Sequence, residues 1–147
     1  MPRILLIQGA NMEWLGKRQP EFYGTTTAAE LDRIMLDAAA ARGVDLDIFY
    51  TNIEGEAVSR IYRACRDGVD GLLMNPAGFT YAGYALRDCV LATRIPCVVV
   101  HMSNIEARGT RCVLSPVADG VVFGMKVRSY TVGLDALLGV IEDRAAA

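Results

Sequence analysis

Ile4-Leu-Leu-Ile7 runs straight into Gln8-Gly-Ala-Asn-Met-Glu-Trp-Leu-Gly-Lys-Arg-Gln-Pro-Glu-Phe-Tyr-Gly24. The apolar run has the length and composition of a buried first strand, placed at residues 3–8. The segment after it makes a poor helix and a poor strand, because glycines, a proline and a closing glycine punctuate it. It predicts a long loop leaving the carboxyl end of strand one. In an open parallel sheet ligands bind at that edge, and long loops in small domains are commonly lids. This one carries Asn11, Arg18 and Tyr23, although a solvated surface loop would share much of its composition.

Working outward, strands and helices alternate. Thr27-Ala-Ala-Glu30 fits a capping box, and Leu31, Ile34, Met35 and Ala38 then recur at helical spacing until Gly43. Val44 to Tyr50 is a second strand whose Asp45 and Asp47 suit a sheet edge. A second helix should turn Val58, Ile61, Tyr62 and Cys65 inward. Gly71 to Met74 is a short buried strand, broken by Asn75-Pro76, and a helix is expected from Thr80 to about Thr93, with Ala85, Leu86, Cys89 and Val90 on one face. Cys97 to Val100 is strand four and ends at His101; residues 102–115 form a second polar loop; Val121 to Phe123 is strand five. A last helix is expected over Tyr130 to Arg144, with a frayed alanine tail beyond it. Helices alternating with strands give a parallel sheet with right-handed crossovers. Five strands in one domain of 147 residues predict an α/β fold, a flavodoxin-like three-layer sandwich.

Composition narrows the function. A formal net charge of −2 gives no basic footprint for nucleic acid. No apolar run approaches a membrane span, and Met-Pro-Arg before Ile4 lacks the apolar length of a signal peptide. Cys65, Cys89, Cys97 and Cys112 show no Cys-x-x-Cys spacing and share the chain with a single His, so no metal site is expected. They are expected to be reduced core thiols in a cytoplasmic protein. The Gly9–Lys17 stretch is not a phosphate-binding P-loop, because Arg18 comes after Lys17 where Ser or Thr is needed.

Loops 9–24, 75–81 and 101–115 should meet at the carboxyl edge of the sheet, with Asn11, Arg18, Tyr23, Asn75, Tyr81 and His101 among the groups on the rim. Ser103, Asn104, Arg108 and Arg111 join them. The chemistry that remains is acid–base work without metal or cofactor. His101 is the one imidazole in the chain and stands directly after a buried strand, where it could act near neutral pH or could be a satisfied structural residue. A guanidinium beside a phenol favours the phenolate, and Arg18 lies five residues before Tyr23. Ser103 and Asn104 head a turn whose amides could cradle a carboxylate.

With those residues gathered, the chain resembles the type II 3-dehydroquinate dehydratases over nearly its whole length. Residues 9–24 resemble the family's first signature and Asn52-Ile-Glu-Gly-Glu56 its second. Asp70-Gly to Asn75-Pro, with Ala85-Leu-Arg-Asp88, resembles the third. Ile95-Pro, His101-Met-Ser-Asn104, Ala107-Arg108 and Ser115-Pro-Val-Ala to Gly120 complete the likeness. The resemblance implies anti elimination of water from a small cyclic hydroxy keto acid through an enolate, with no cofactor. It implies Tyr23 as base, Arg18 as the group holding it ionised, Asn11 as the holder of a water at the enolate oxygen, and His101 as acid. Asn75 would orient the departing hydroxyl, Met102 and Ser103 would grip a carboxylate, and Tyr81 and Arg111 would face the ring. Asp88 would reach a neighbouring subunit's site in a homododecamer built from trimers. Some positions depart from the family pattern. Tyr81 stands where the family has His, Ala77 where it has Gly, Val99 where it has Glu and Ile53 where it has His. The loop after Arg108 is shorter, which leaves Arg111 as the nearest match for a second loop arginine. The departures leave room for a related substrate or for a non-catalytic carboxylate binder.

Overall fold

The computed structural model describes residues 1–147. Its strands are β1 (Arg3–Ala10), β2 (Asp45–Tyr50), β3 (Gly71–Ala77), β4 (Cys97–His101) and β5 (Gly120–Phe123), all paired in parallel in the order β2-β1-β3-β4-β5. The helices are α1 (Pro20–Tyr23), α2 (Ala28–Ala41), α3 (Glu54–Arg66), α4 (Tyr84–Thr93) and α5 (Arg128–Ala146). Successive strand residues point to opposite faces, so an unbroken apolar run serves two cores at once. Leu5, Ile7, Leu72, Met74, Cys97 and Val99 pack beneath α3 and α4. Ile4, Leu6, Leu73, Val98 and Val100 pack beneath α2 and α5. This is the expected three-layer, flavodoxin-like sandwich, with β2 and its exposed aspartates at the edge.

Four local expectations are corrected. First, the 9–24 segment is not structureless: it holds a 3-10 turn at Met12–Trp14 and the short α1, which opens on Pro20. Met12 and Leu15 are buried in the α2/α5 core and pin the segment down. Second, β3 continues through Asn75-Pro76, because its pairing with β4 stops at Met74 while its pairing with β1 runs on to Ala77. Pro76 therefore costs no ladder bond to β4. Third, α4 starts at Tyr84, after a 3-10 turn at Gly78–Thr80, and Ala85 is exposed along with Tyr62 on α3. Ile61 faces the sheet as expected, joined there by the small residues Ala57 and Ala64. Fourth, the terminal alanines stay helical to Ala146. Alanine is the best helix former, and Arg144 anchors the last turn to Arg94 O and Asp119.

The Thr27–Glu30 capping box forms as expected. The Asn52–Glu56 stretch works as a set of ties. Asn52 Oδ1 accepts from the Asn11 amide at 2.9 Å, and the Asn52 side-chain amide donates to Glu13. Glu54 Oε2 accepts from the Leu86 amide at 2.9 Å, capping α4, whose own N-cap is the side-chain-free Gly83. Glu56 accepts from the Thr51 hydroxyl. Replacing Glu54 by Ala leaves one first-turn amide of α4 without its protein acceptor and should cost about 1 kcal/mol. Thermal unfolding of Glu54→Ala should show a midpoint lower by about 2–4 °C; an unchanged midpoint would rule out the cap.

Candidate active site

At the carboxyl edge of the sheet β1 and β3 approach so closely that Gly9 has no room for a side chain: a Cβ there would lie 2.1 Å from the Pro76 carbonyl oxygen. The chain then swings out at Asn11 with φ 77°, a left-handed conformation that Asn tolerates better than most residues and that its amide bond to Asn52 holds. The lid crosses the edge and returns along α1. Between it, the end of β3 and the loop after β4 lies a pocket with an empty volume of about 520 Å³.

Three segments meet there as the sequence predicts. The lid contributes Asn11, Arg18 and Tyr23; the β3 end contributes Asn75 and Tyr81; the β4 end contributes His101, Met102, Ser103 and Arg108. Asn75 belongs by strand alternation to the α5 face and His101 to the α3/α4 face, so the pocket straddles the sheet edge. Asn104, Arg111 and Asp88 do not line it. Asn104 caps its own turn by accepting from the Ala107 amide. Arg111 is exposed and lies outside the pocket lining in this chain. Asp88 is exposed on α4, and Ile53 is likewise exposed.

The Tyr23 oxygen is the electrostatic focus. Arg18 Nη2 and Arg108 Nη1 each donate to it at 3.2 Å. The Arg18 guanidinium also stacks 4.1 Å from the centre of the Tyr23 ring, and that of Arg108 lies 4.2 Å from the centre of Phe22. Arg108 Nη1 reaches Ser103 Oγ as well, at 3.0 Å. The sequence predicts one cation at this oxygen and the structure has two. Arg108 is expected on the rim, but its approach to Tyr23 spans 85 positions and leaves no local signal.

His101 is 5% exposed, and its Nε2 is buried with no hydrogen-bond partner. Val99 lies two residues earlier on the same strand face, within the apolar cluster that also holds Ile105, Cys112 and Leu114. No carboxylate faces the ring from that wall, and burial pushes the His101 imidazole down to about 4. The imidazole is therefore neutral at pH 7 in the ligand-free protein. Beneath the pocket, Asn75 Nδ2 donates to the Tyr130 hydroxyl at 2.8 Å and Asn75 Oδ1 accepts from the Ala77 amide at 2.9 Å. The Tyr130 hydroxyl donates to Gln8 Oε1 at 2.6 Å. Gln8 and Tyr130 are not among the site residues that the sequence predicts. Gln8 reads as the end of an apolar strand and Tyr130 as the start of a helix, and only folding brings them together.

A family model described as dehydroquinase class II matches residues 2–138. The chain is 40% identical over 141 residues to the 3-dehydroquinate dehydratase of Thioalkalivibrio sulfidiphilus, covering 94% of this chain and 96% of the relative. It is 41% identical over 145 residues to that of Xanthomonas oryzae pv. oryzae, covering 97% and 98%. Among solved structures it superposes on a type II dehydroquinase from Butyrivibrio crossotus with a TM-score of 0.89 at 29% identity, covering 93% of this chain and 97% of the other. A 3-dehydroquinate dehydratase-like protein from Bifidobacterium longum aligns with a TM-score of 0.72 at 26% identity, over 97% and 99% of the two chains. Agreement in sequence along almost the entire length, joined to a shared fold, makes this chain a member of the dehydroquinase class II family.

Proposed function

We propose that the chain is a type II 3-dehydroquinate dehydratase, a hydro-lyase that removes water from 3-dehydroquinate by anti elimination to give 3-dehydroshikimate. The observation that carries the reading is a tyrosine oxygen held between two guanidinium groups in the same pocket as the one imidazole of the chain. Tyr23 as phenolate takes the proton beside the ketone. The electron pair moves onto the ketone oxygen as an enolate, and Asn11 holds a water against that charge. Arg18 and Arg108 face the phenolate before it reacts, so its charge is met by fixed cations rather than by mobile water. The enolate then collapses and the distant hydroxyl leaves with a proton from His101, oriented by Asn75. Ser103 and the backbone at Met102 receive the substrate carboxylate beside Arg108, while Tyr81 borders the ring. The bound carboxylate and the enolate bring negative charge toward an imidazole that burial leaves neutral, which raises its affinity for the proton that it must deliver. The unpartnered His101 Nε2 is the buried atom that a substrate hydroxyl would satisfy.

Asp88 is part of the same reading. It sits on the exposed face of α4 near Tyr84 and Leu91, which are 57% and 52% exposed. Such apolar side chains suit burial against other subunits. A homododecamer of trimers would cover them and carry Asp88 to a neighbouring pocket. Four cysteines without disulfides fit a reducing, cytoplasmic setting.

A second reading concerns substrate preference. Arg111 lies outside the pocket, and the wall facing the lid is built from Ala77, Thr80, Tyr81 and Ile105. Sites that lack a donor lose selectivity for the hydroxyl it would hold. A less hydroxylated cyclic keto acid turned over with a kcat/KM above that for 3-dehydroquinate would favour this reading.

The base is tested by Tyr23→Phe, monitored through the absorbance of the conjugated product. Turnover of 3-dehydroquinate should fall by about 10²–10⁴-fold with thermal unfolding unaltered; unchanged turnover would remove Tyr23 from its role. The buried imidazole makes a separate prediction. Its folded pKa, about 4, lies below the ordinary 6.5, so the unfolded chain binds the proton more readily. The stability this gives is complete above pH 6.5 and is lost as pH falls through about 4. Between pH 7 and 4.5 the wild type should lose about 2–3 kcal/mol more unfolding free energy than His101→Gln, since the carboxylates common to both cancel. Parallel losses in the two proteins would show that the ring is not desolvated.

A further inference from the structure

Under the pocket floor a buried polar chain joins three elements. Tyr130, from the first turns of α5, is fully buried, as is Gln8 at the end of β1, and Asn75 on β3 is 4% exposed. Gln8 and Asn75 face each other across the β1–β3 pairing, and the Tyr130 hydroxyl bridges their side chains. A phenol has one proton and an amide has distinct donor and acceptor ends. Burial pushes the Tyr130 phenol well up from its usual range, so the proton stays on. With that proton given to Gln8 Oε1, the phenol oxygen can only accept from Asn75. Asn75 must then present Nδ2 to Tyr130 and Oδ1 to the Ala77 amide. Both ends of the amide are thereby assigned, where an unpartnered Asn could turn by half a revolution. The amide keeps in reserve one Nδ2 hydrogen, held only by Met12 Sδ at 3.5 Å, and one lone pair on Oδ1.

We propose that Tyr130 is a positioning residue of the reaction: it locks the amide of Asn75 so that a defined donor and acceptor face the departing hydroxyl. The proposal rests on the dehydratase reading of the site. A buried tyrosine with a satisfied hydroxyl is commonly plain core. Here, however, three polar side chains from β1, β3 and α5 are committed to one another in the interior, and Gln8 carries the chain on toward the Tyr50 phenol, which itself donates to Asp32. An apolar trio would pack the same space without desolvating those groups. A polar arrangement that costs stability directly beneath the proposed reacting group is what a functional constraint produces.

The test is a double-mutant cycle with a structural arm. Tyr130→Phe keeps the ring and removes the hydroxyl. Its kcat on 3-dehydroquinate should fall about tenfold or more with KM within about twofold, and the same substitution in Asn75→Ala should change kcat less than about twofold. Equal losses in both backgrounds would mean a general packing defect and would overturn the proposal. If Tyr130→Phe fails to fold, Gln8→Leu serves. It frees the phenol proton to turn toward Asn75, and its loss of kcat should likewise vanish once Asn75 is Ala. A crystal structure of whichever variant folds should show Asn75 turned from the Ala77 amide or split between two conformers; an unmoved Asn75 overturns the proposal. Should the wild type fail to turn over 3-dehydroquinate, the dehydratase reading falls. The crystal structure alone then decides whether Tyr130 sets Asn75.

Discussion

The closeness of β1 and β3 at their carboxyl ends is the constraint on which the site depends. Gly9 passes against the Pro76 carbonyl with no space for a Cβ, and a Cβ on Gly78 would lie 2.7 Å from that of Ala10. Two backbones pressed together here cannot both continue straight. One leaves as the lid through a left-handed Asn11, the other turns through a 3-10 helix toward α4. The Asn52 side chain, from the loop after β2, fixes the first departure, and Glu54 caps the helix to which the second leads. Packing at one crossing thus sets where the lid, Asn75 and the rim around Tyr81 lie relative to one another.

Electrostatics divides the pocket into unlike halves. On the lid side two guanidiniums converge on one phenol oxygen, in a part-buried setting where charge is less screened than at the surface. On the β4 side the imidazole is enclosed by apolar residues and has no acidic partner. Unlike surroundings for two titratable groups are a means of giving them unlike roles within one pocket. Val99 and Ile105 make the second half more apolar than an acid residue would leave it. With no carboxylate beside it, this imidazole can gain a negative neighbour only from a bound ligand.

Much of the architecture was legible from local pattern. The Ile4–Ile7 run, the Thr27–Glu30 capping box and Asp45 and Asp47 on the edge strand each report a nearest-neighbour preference, and each formed where expected. Boundaries were less legible at Pro76 and Tyr84. There the outcome depends on which neighbouring strand stops first and on what another helix offers as a cap. Tyr62 and Ala85 face solvent within the single chain because helical spacing identifies an apolar stripe without saying how many surfaces will be present to cover it.

The sequence by itself determined the alternating strands and helices, the parallel sheet, the three loops that meet at its carboxyl edge and the pairing of Arg18 with Tyr23. Those features arise from periodicity, turn chemistry and contacts a few residues apart. Only the tertiary structure decided that Arg108 joins Arg18 at the Tyr23 oxygen, that Arg111 falls outside the pocket, and that Gln8, Asn75 and Tyr130 form one hydrogen-bonded chain. The physical reason is separation along the chain. The Arg108–Tyr23 contact spans 85 positions and the Tyr130–Gln8 contact 122. No local propensity encodes such contacts until the crossovers of the sheet bring its carboxyl edge together.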